Sequence, residues 1–270
     1  MRFTFVTKLL RLSNLVLFAL VLMFTIPALV EGATFYVAKG GSDSRSCSSA
    51  RSSNTPKSTI GGGIACMSGG DTLIIGDGTY DEQITDSIPS GSSDAPTVIQ
   101  AENRNGVVVR PSGRYWGIAV FTIDGRSYIT IDGIDADAQN VEQPYYVQND
   151  SRHITLKNGT ARNGQGYYGS GIELRESSEN AVVNMEVCDN GVGTLAHGIY
   201  VSGSNNLVEG NRVHSNSGFG LHVYPYRASY NTIRGNEVFD NVFGSAYIVP
   251  GNTFQDNVMY SNGGVEVVGE

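Results

Sequence analysis

The chain has 270 residues, of which 18 are basic and 26 acidic, so its formal net charge at pH 7 is −8. An acidic chain without a basic cluster argues against nucleic acid as a partner, because that binding depends mainly on Lys and Arg side chains that neutralise phosphates. The chain also offers little general attraction for acidic polysaccharides, which would need local Arg, His or a bridging metal ion.

The first 32 residues differ from the rest and predict a signal peptide. Lys8 and Arg11 precede an apolar run over residues 15–26. This run is shorter than the roughly 20 apolar residues of a membrane-spanning helix, although a retained anchor is the alternative interpretation. Removal of residues 1–32 leaves 15 basic and 25 acidic residues, a net charge near −10. We therefore expect a secreted, extracellular protein with one domain, residues 33–270, and no membrane span.

Three cysteines remain in the predicted mature chain. Cys47 and Cys66 flank a Ser-rich loop near its start, and in an exported protein we expect them to form a disulfide. Closure of a loop of this length stabilises the fold by roughly 3 kcal/mol. Cys188 is left without a partner, and its place in the repeat described next predicts a packed thiol.

From residue 153 onward, asparagine returns at intervals of 21 to 27 residues. Aligning the repeats gives three columns: Asn163, Asn190, Asn216, Asn241 and Asn262; Asn158, Met185, Asn211, Asn236 and Asn257; and His153, Asn180, Asn206, Asn231 and Asn252. Asparagine tolerates left-handed backbone at turns and can hydrogen-bond to its counterpart one coil away, about 4.8 Å distant. Such a period without helical periodicity predicts a solenoid of short strands, with Val187, Val213, Val238 and Met259 in an inner apolar column.

The N-terminal part reads FYVAKGGSDS and then TPKSTIGGGIACMSGGDTLIIGDGTYDEQI. Together with the repeats, these segments resemble the right-handed parallel β-helix superfamily of pectate lyases, chondroitinase B-like lyases and mannuronan epimerase-like proteins. The resemblance covers nearly all of the mature chain and implies an all-β, right-handed parallel β-helix whose first coil is plugged by a short N-terminal capping helix. The run Gly61–Gly63 disfavours a long helix, so we expect a short or irregular cap.

The sequence ends at GGVEVVGE, a predicted strand without a polar cap after it. Solenoids need capped ends, and an open β edge pairs readily with other chains. We therefore expect either a truncated product or a partner that binds end to end at the last coil.

Four segments, GIEL at 171, GIYV at 198, GLHV at 220 and SAYI at 245, align as one strand per coil. Their alternation predicts inward Ile172, Leu174, Ile199, Val201, Leu221, Val223, Ala246 and Ile248. It predicts an outward row of Glu173, Tyr200, His222 and Tyr247, extended by Gln148 on one side and Glu266 on the other. A parallel row carries Arg175, Ser202 and Tyr224, with Tyr226 and Arg227 on the following loop. Flat rings beside charged groups favour sugar binding, although tyrosines on a β face also simply stack on one another.

Elimination from a uronate needs a base beside the carboxylate and a positive group to stabilise the anion. His222 or Tyr224 would be the base, and Arg175 or Arg227 the positive group. The chain departs from the lyases it resembles, because they commonly use Lys or Arg as base and its few Lys residues lie outside the outward rows. An ordinary surface histidine is the alternative for His222.

A calcium ion is the one cofactor that the sequence suggests. Asp132, Asp135 and Asp137 lie close together in TIDGIDADA. They lack the glycine-rich nonapeptide pattern of calcium-binding β-rolls, so solvated turn carboxylates are favoured.

Two hypotheses about function follow. The first is a secreted β-helix that binds polysaccharide on one sheet face and that, if it is an enzyme, is a polysaccharide lyase acting by β-elimination. The alternative is a non-catalytic surface or adhesion scaffold.

Overall fold

The computed structural model describes residues 32–112, 118–225 and 227–269, so the predicted signal peptide and Tyr226 lie outside the described residues. The described part of the chain is almost entirely β, and its strands form three parallel sheets. From β2 onward, consecutive strands enter sheets 1, 2 and 3 in turn, and each strand pairs in parallel with its counterpart one coil away. The predicted right-handed parallel β-helix is confirmed.

The strands of the three sheets are short, as the turn spacing of the repeats predicts. Sheet 1 contains β1 (Thr34–Val37), β2 (Thr72–Ile75), β5 (Thr97–Ala101), β8 (Ser127–Asp132), β11 (Arg152–Lys157), β14 (Ala181–Val183), β17 (Leu207–Glu209), β20 (Thr232–Arg234) and β23 (Thr253–Gln255). Sheet 2 contains β3 (Gly78–Tyr80), β6 (Val107–Val109), β9 (Ile134–Asp137), β12 (Thr160–Arg162), β15 (Glu186–Cys188), β18 (Arg212–His214), β21 (Glu237–Phe239) and β24 (Val258–Tyr260). Sheet 3 contains β4 (Ile84–Thr85), β7 (Ala119–Asp124), β10 (Gln143–Gln148), β13 (Ile172–Leu174), β16 (Ile199–Val201), β19 (Phe219–Val223), β22 (Gly244–Ile248) and β25 (Val265–Val268).

The core is a stack of apolar side chains between the three sheets, because alternate residues of each strand point inward. The predicted column of Val187, Val213 and Val238 is fully buried, and Met259 packs against it from the last described strand of sheet 2. The eight inward residues predicted for sheet 3 are buried as well.

Three hydrogen-bonded ladders of buried asparagines run along the stack. In one of them, Nδ2 of Asn190 donates to Oδ1 of Asn216 at 2.9 Å, and Nδ2 of Asn216 donates to Oδ1 of Asn241 at 2.9 Å. Each of these Nδ2 groups also donates to a backbone carbonyl of the preceding coil. The buried amides are therefore satisfied without water.

The predicted columns are confirmed from Asn180, Met185 and Asn190 onward but are wrong by one residue in the coil before. There, Ile154, Gly159 and Gly164 take the ladder positions expected for His153, Asn158 and Asn163. The three expected residues have positive φ angles of 54°, 58° and 60°. Left-handed backbone thus belongs to the turn residue that precedes each ladder position, and asparagine suits both places.

The N-terminal cap consists of a 3-10 turn, Ser49–Arg51, and one short helix, α1 (Ile60–Ile64), as expected. Backbone N–H groups of Ile60 and Gly61 donate to the Glu82 carboxylate at 2.7 and 2.8 Å. A Cβ at Gly63 would lie 2.6 Å from Cγ2 of Val37, so only glycine lets α1 pack this closely on the first coil.

The cysteines are arranged as predicted. Cys47 and Cys66 form the disulfide, with their Cα atoms 5.3 Å apart, and it ties the Ser-rich loop to the residues just after α1. Cys188 is a buried free thiol whose neighbour in sheet 2 is His214. Within the described residues, no helix is long and apolar enough to cross a membrane.

Candidate functional site

The main candidate site is a groove of about 670 Å³ on the outer face of sheet 3. Strands β10, β13, β16 and β19 form its floor, and the loops that flank them form its rim. Its lining combines four tyrosines, three carboxylates, two arginines and two histidines: Tyr146, Tyr168, Tyr200, Tyr224, Glu142, Glu173, Glu176, Arg175, Arg227, His197 and His222.

The central outward row is confirmed by the strand register. Glu173 pairs with Tyr200, Tyr200 with His222, and His222 with Tyr247. The rings of His222 and Tyr247 lie 5.2 Å apart, but Tyr247 is outside the groove lining. The row therefore continues past one end of the groove.

The expected extensions of this row are both wrong. The register places Tyr146 beside Glu173. Gln148 lies two residues further along β10, where its Nε2 donates a hydrogen bond of 2.9 Å to Oδ2 of Asp124. The reason is Tyr145, which is large but turns inward, fully buried, and donates its hydroxyl to the Ile134 carbonyl at 3.2 Å. At the other end, a register irregularity in β22 pairs Tyr247 with Val267 instead of Glu266.

Glu173 is the most buried carboxylate of the groove, with 7% of its surface exposed. Its Oε2 accepts a hydrogen bond of 2.8 Å from Nε2 of Gln143, and Nη1 of Arg175 lies 3.7 Å from its Oε1. Desolvation raises the pKa of Glu173 above its ordinary value despite these two partners. Burial therefore favours the neutral form of this carboxyl group more than it would for an exposed glutamate.

Both arginines of the groove have anionic partners. Arg175 contacts Glu173 and also hydrogen-bonds to Tyr146, whose proximity is the main cause of the raised pKa of Arg175. Nη2 of Arg227 lies 2.8 Å from Oε1 of Glu176. The structure thus brings the four predicted catalytic residues, His222, Tyr224, Arg175 and Arg227, to one groove.

A pair of histidines lies at one end of this floor. Nδ1 of His222 is 2.8 Å from Nε2 of His197, and the Phe219 backbone N–H donates to Nδ1 of His197 at 3.1 Å. That donor requires Nδ1 of His197 to be unprotonated, so Nε2 of His197 carries the proton. This N–H donates a hydrogen bond to Nδ1 of His222. His222 then has its own proton on Nε2, and both rings are neutral. Burial lowers the pKa of His197 to about 2 and that of His222 to about 4.

His197 reaches this position because its neighbours are small. A Cβ at Gly218 would lie 2.7 Å from Nδ1 of His197, and a Cβ at Gly198 would lie 2.4 Å from Cγ1 of Val213. The two glycines let the backbone approach the ring on one side and the inner valine on the other. Sequence reasoning missed His197, although its position directly before the aligned segment GIYV at 198 is a usable signal.

Two groove tyrosines were also missed by the sequence reasoning. Tyr146 follows from the register described above, which requires a tyrosine inside the coil. Tyr168 is 59% exposed on the loop between β12 and β13, where the repeat gives no alignment. Tyr226, expected at the rim, lies outside the described residues.

The three aspartates considered for calcium face cations of the protein instead. Asp132 lies 3.1 Å from Nζ of Lys157, and Asp135 lies 2.7 Å from Nη2 of Arg162. Asp137 accepts two hydrogen bonds from Arg110, at 2.9 and 2.7 Å. Within the described ranges, no group of three or more His, Cys, Asp or Glu side chains is arranged to hold a metal ion.

Comparisons with known proteins agree with this architecture. The family model described as "right handed beta helix region" matches residues 97–269. Similar solved structures include the pectate lyase Pel9A, with 22% identity and a TM-score of 0.64 over 77% of this chain and 54% of that one. A second is XylC in complex with xylose, with 11% identity and a TM-score of 0.62 over 85% of this chain and 62% of that one.

A third is ORF18 of Geobacillus virus E2, with 14% identity and a TM-score of 0.52 over 66% of this chain and 35% of that one. The chain thus covers less than two thirds of each of these three structures. The search of curated proteins found no match.

Proposed function

Because this chain belongs to the right-handed β-helix family, we propose that it binds a polysaccharide along the groove of sheet 3. The observation that carries the proposal is the combination of ring faces and buried polar groups in one elongated groove. Two solved structures of similar fold are described as a pectate lyase and as a protein in complex with xylose, and both descriptions concern carbohydrate. The disulfide and the predicted signal peptide support a secreted protein.

The tyrosines would provide the apolar part of the contact. Tyr168 and Tyr224 are 59% and 42% exposed, so part of each ring faces solvent at the rim. Tyr146 and Tyr200 lie deeper on the floor, in the register positions on either side of Glu173. Sugar rings pack their C–H faces on such surfaces, and strands about 4.8 Å apart repeat the contact along a chain.

The polar groups would orient the sugar. Glu173, held by Gln143, accepts hydrogen bonds from hydroxyl groups, and Nε2 of His222 donates one. These groups are fixed by contacts within the protein before any ligand arrives. Such preorganisation reduces the entropy cost of binding.

β-Elimination in the same groove is a second candidate, favoured by the meeting of His222, Tyr224, Arg175 and Arg227 there. In this arrangement His222 is a hydrogen-bond donor, because its other nitrogen accepts from His197. Tyr224, as its phenolate, would therefore remove the proton beside the carboxylate, and Arg175 or Arg227 would stabilise the resulting anion. The glycosidic C–O bond would break as the double bond forms, and the leaving oxygen would take up a proton from solvent. A non-catalytic scaffold would use the same groove, or another face, for binding alone.

A glycan array with the full-length secreted protein tests the proposal. Tyr224→Ala should weaken binding of the glycans that score by roughly two- to tenfold, because ring stacking contributes about 0.5–1.5 kcal/mol. Tyr260→Ala is the matched control, since Tyr260 is 44% exposed and lies on sheet 2. Equal binding by the two variants, or no glycan bound at all, would contradict the proposal. New ultraviolet absorbance from an unsaturated product would identify elimination.

A further inference from the structure

The charges of the groove bear on which class of polysaccharide it takes. Counted over the described residues that line it, the groove holds three carboxylates, Glu142, Glu173 and Glu176, and two guanidinium groups, Arg175 and Arg227. With all five groups ionised, their net charge is −1. An anionic sugar chain therefore meets no net positive charge among these groups.

Each arginine of the groove already has a carboxylate partner. Arg227 lies 2.8 Å from the Glu176 carboxylate, and Arg175 lies 3.7 Å from Glu173 and hydrogen-bonds to Tyr146. A uronate carboxylate or a sulfate bound to either guanidinium would share its positive charge with that protein carboxylate. It would also lie close to the protein carboxylate, and like charges at such distances repel.

The histidines cannot supply the missing positive charge. A proton added to His222 would place an N–H on Nδ1, directly facing the N–H on Nε2 of His197 across 2.8 Å. A proton added to His197 would face the backbone N–H of Phe219 across 3.1 Å. Either imidazolium would therefore lose a buried hydrogen bond and bring two donors together. The geometry keeps the pair neutral.

We propose that the groove selects an uncharged polysaccharide, whose sugar units present hydroxyl groups and carry neither carboxylate nor sulfate. This inference rests on the proposed function and assigns its substrate class. A hydroxyl group both donates and accepts a hydrogen bond. It can therefore donate to Glu173 or Glu142 and accept from Nε2 of His222, which uses the groove as it stands without breaking an ion pair.

The test compares ligands that differ only in charge. Oligogalacturonates and the same oligomers after carboxyl reduction share one backbone, and neutral xylan, mannan and glucan oligomers extend the panel. Calorimetric titration of the full-length protein should give at least tenfold tighter binding for the neutral member of a matched pair. Binding of the neutral ligand should also change little between low and physiological salt, because no ion pair forms.

Two variants assign the selectivity to named groups. His222→Asn keeps an acceptor for His197 but removes the Nε2–H donor, and it should weaken neutral-ligand binding by about tenfold. His153→Asn is its control, because His153 lies on β11 of sheet 1 with a positive φ that asparagine tolerates. Glu176→Gln should free Arg227 and shift the preference toward the uronate by about fivefold or more.

The outcomes separate this inference from the function beneath it. If uronates bind as tightly as their reduced counterparts, or more tightly, and Tyr224→Ala weakens that binding, the substrate class is wrong and the glycan groove stands. If no member of either class binds, the proposed function itself fails. An affinity for neutral ligands that His222→Asn leaves unchanged would overturn the role given to the histidine pair.

Discussion

At the scale of single residues, His197 and His222 exchange one hydrogen bond while a backbone N–H fixes which nitrogen donates. Both rings are largely buried, and Tyr200, Phe219 and Tyr247 surround them at centroid distances of 5.2–5.9 Å. Burial among these rings removes water from both imidazoles, and this desolvation disfavours charge on either ring. The pair therefore behaves as a fixed neutral donor at the groove surface.

The depressed histidine pKa values predict how stability depends on pH. Both pKa values lie below the ordinary 6.5, at about 4 for His222 and about 2 for His197. Above pH 6.5 the histidines are neutral in both the folded and unfolded states and contribute no pH dependence. As the pH falls from 6.5 toward 4, the unfolded chain binds protons that the folded chain does not. The free energy of unfolding should then fall by up to about 1.4 kcal/mol per pH unit for each histidine.

Urea denaturation of the wild type and of His222→Asn across pH 4–7 measures this effect. Asp135 must be separated from it, because desolvation raises its pKa to about 6 and gives the opposite slope in the same range. The contribution of Asp135 cancels in the difference between the unfolding free energies of the two proteins. That difference should shrink steadily below pH 6.5. A difference that stays constant with pH would contradict the neutral pair.

Single residues also limit what sequence could reveal. The ladders were predictable because Asn190, Asn216 and Asn241 recur in register, and a buried amide needs the same partner in every coil. Asn158 and Asn163 misled the alignment, since they occupy the turn beside the ladder and have positive φ. Composition alone does not separate two adjacent positions that favour the same residue.

At the scale of strands, the inner valines of sheet 2 form a buried apolar column that packs consecutive coils together. Val213 is fully buried between Val187 and Val238, and Val→Asp there would place a charge among apolar side chains. We expect Val213→Asp to abolish soluble expression, with a loss of several kcal/mol in the free energy of unfolding. Val258→Asp on the same sheet is the control, because Val258 is 59% exposed. Soluble, protease-resistant Val213→Asp protein would show that the inward assignment is mistaken.

Strand alternation predicted the centre of the site but not its ends. Glu173, Tyr200 and His222 follow from matching short apolar-polar-apolar segments, and their register agrees with that match. The match failed at β10, where Gln148 was expected beside Glu173 and the structure places Tyr146 there. The neighbouring Tyr145 points into the coil, a direction that is unusual for so large a polar side chain. His197 and Tyr168 lie before the strands, where contacts between coils and not alternation decide the direction of a side chain.

At the scale of the whole molecule, the Cys47–Cys66 disulfide closes the loop that contains the 3-10 turn and α1 of the N-terminal cap. Its reduction should lower the free energy of unfolding by roughly 3 kcal/mol. Amide exchange should increase first at β1 and β2, since coils of a solenoid depend chiefly on their neighbours. Hydrogen exchange with mass spectrometry, before and after reduction, measures both the size and the place of the change.

Thiol labelling supplies the control for that experiment. Alkylation without reduction should modify one cysteine, Cys188, and only after unfolding, because the thiol is buried and its pKa is raised by desolvation. Cys188→Ala should leave the response to reduction unchanged. Labelling of Cys47 or Cys66 in the unreduced native protein, or uniform loss of protection along the stack, would contradict this account of the cap.

The strand register has a mechanical consequence. Every rung is hydrogen-bonded to the next one along the stack, and the ladder spacings are 26, 25 and 21 residues. Tension applied to the last coil would break these hydrogen bonds sequentially, one coil after another, and not all at once. Each coil that detaches would release up to roughly 90 Å of chain, at about 3.5 Å per residue, in place of a folded rise of about 4.8 Å. The solenoid should therefore yield to axial pulling in steps of one coil at low force, while the coils that remain stay intact.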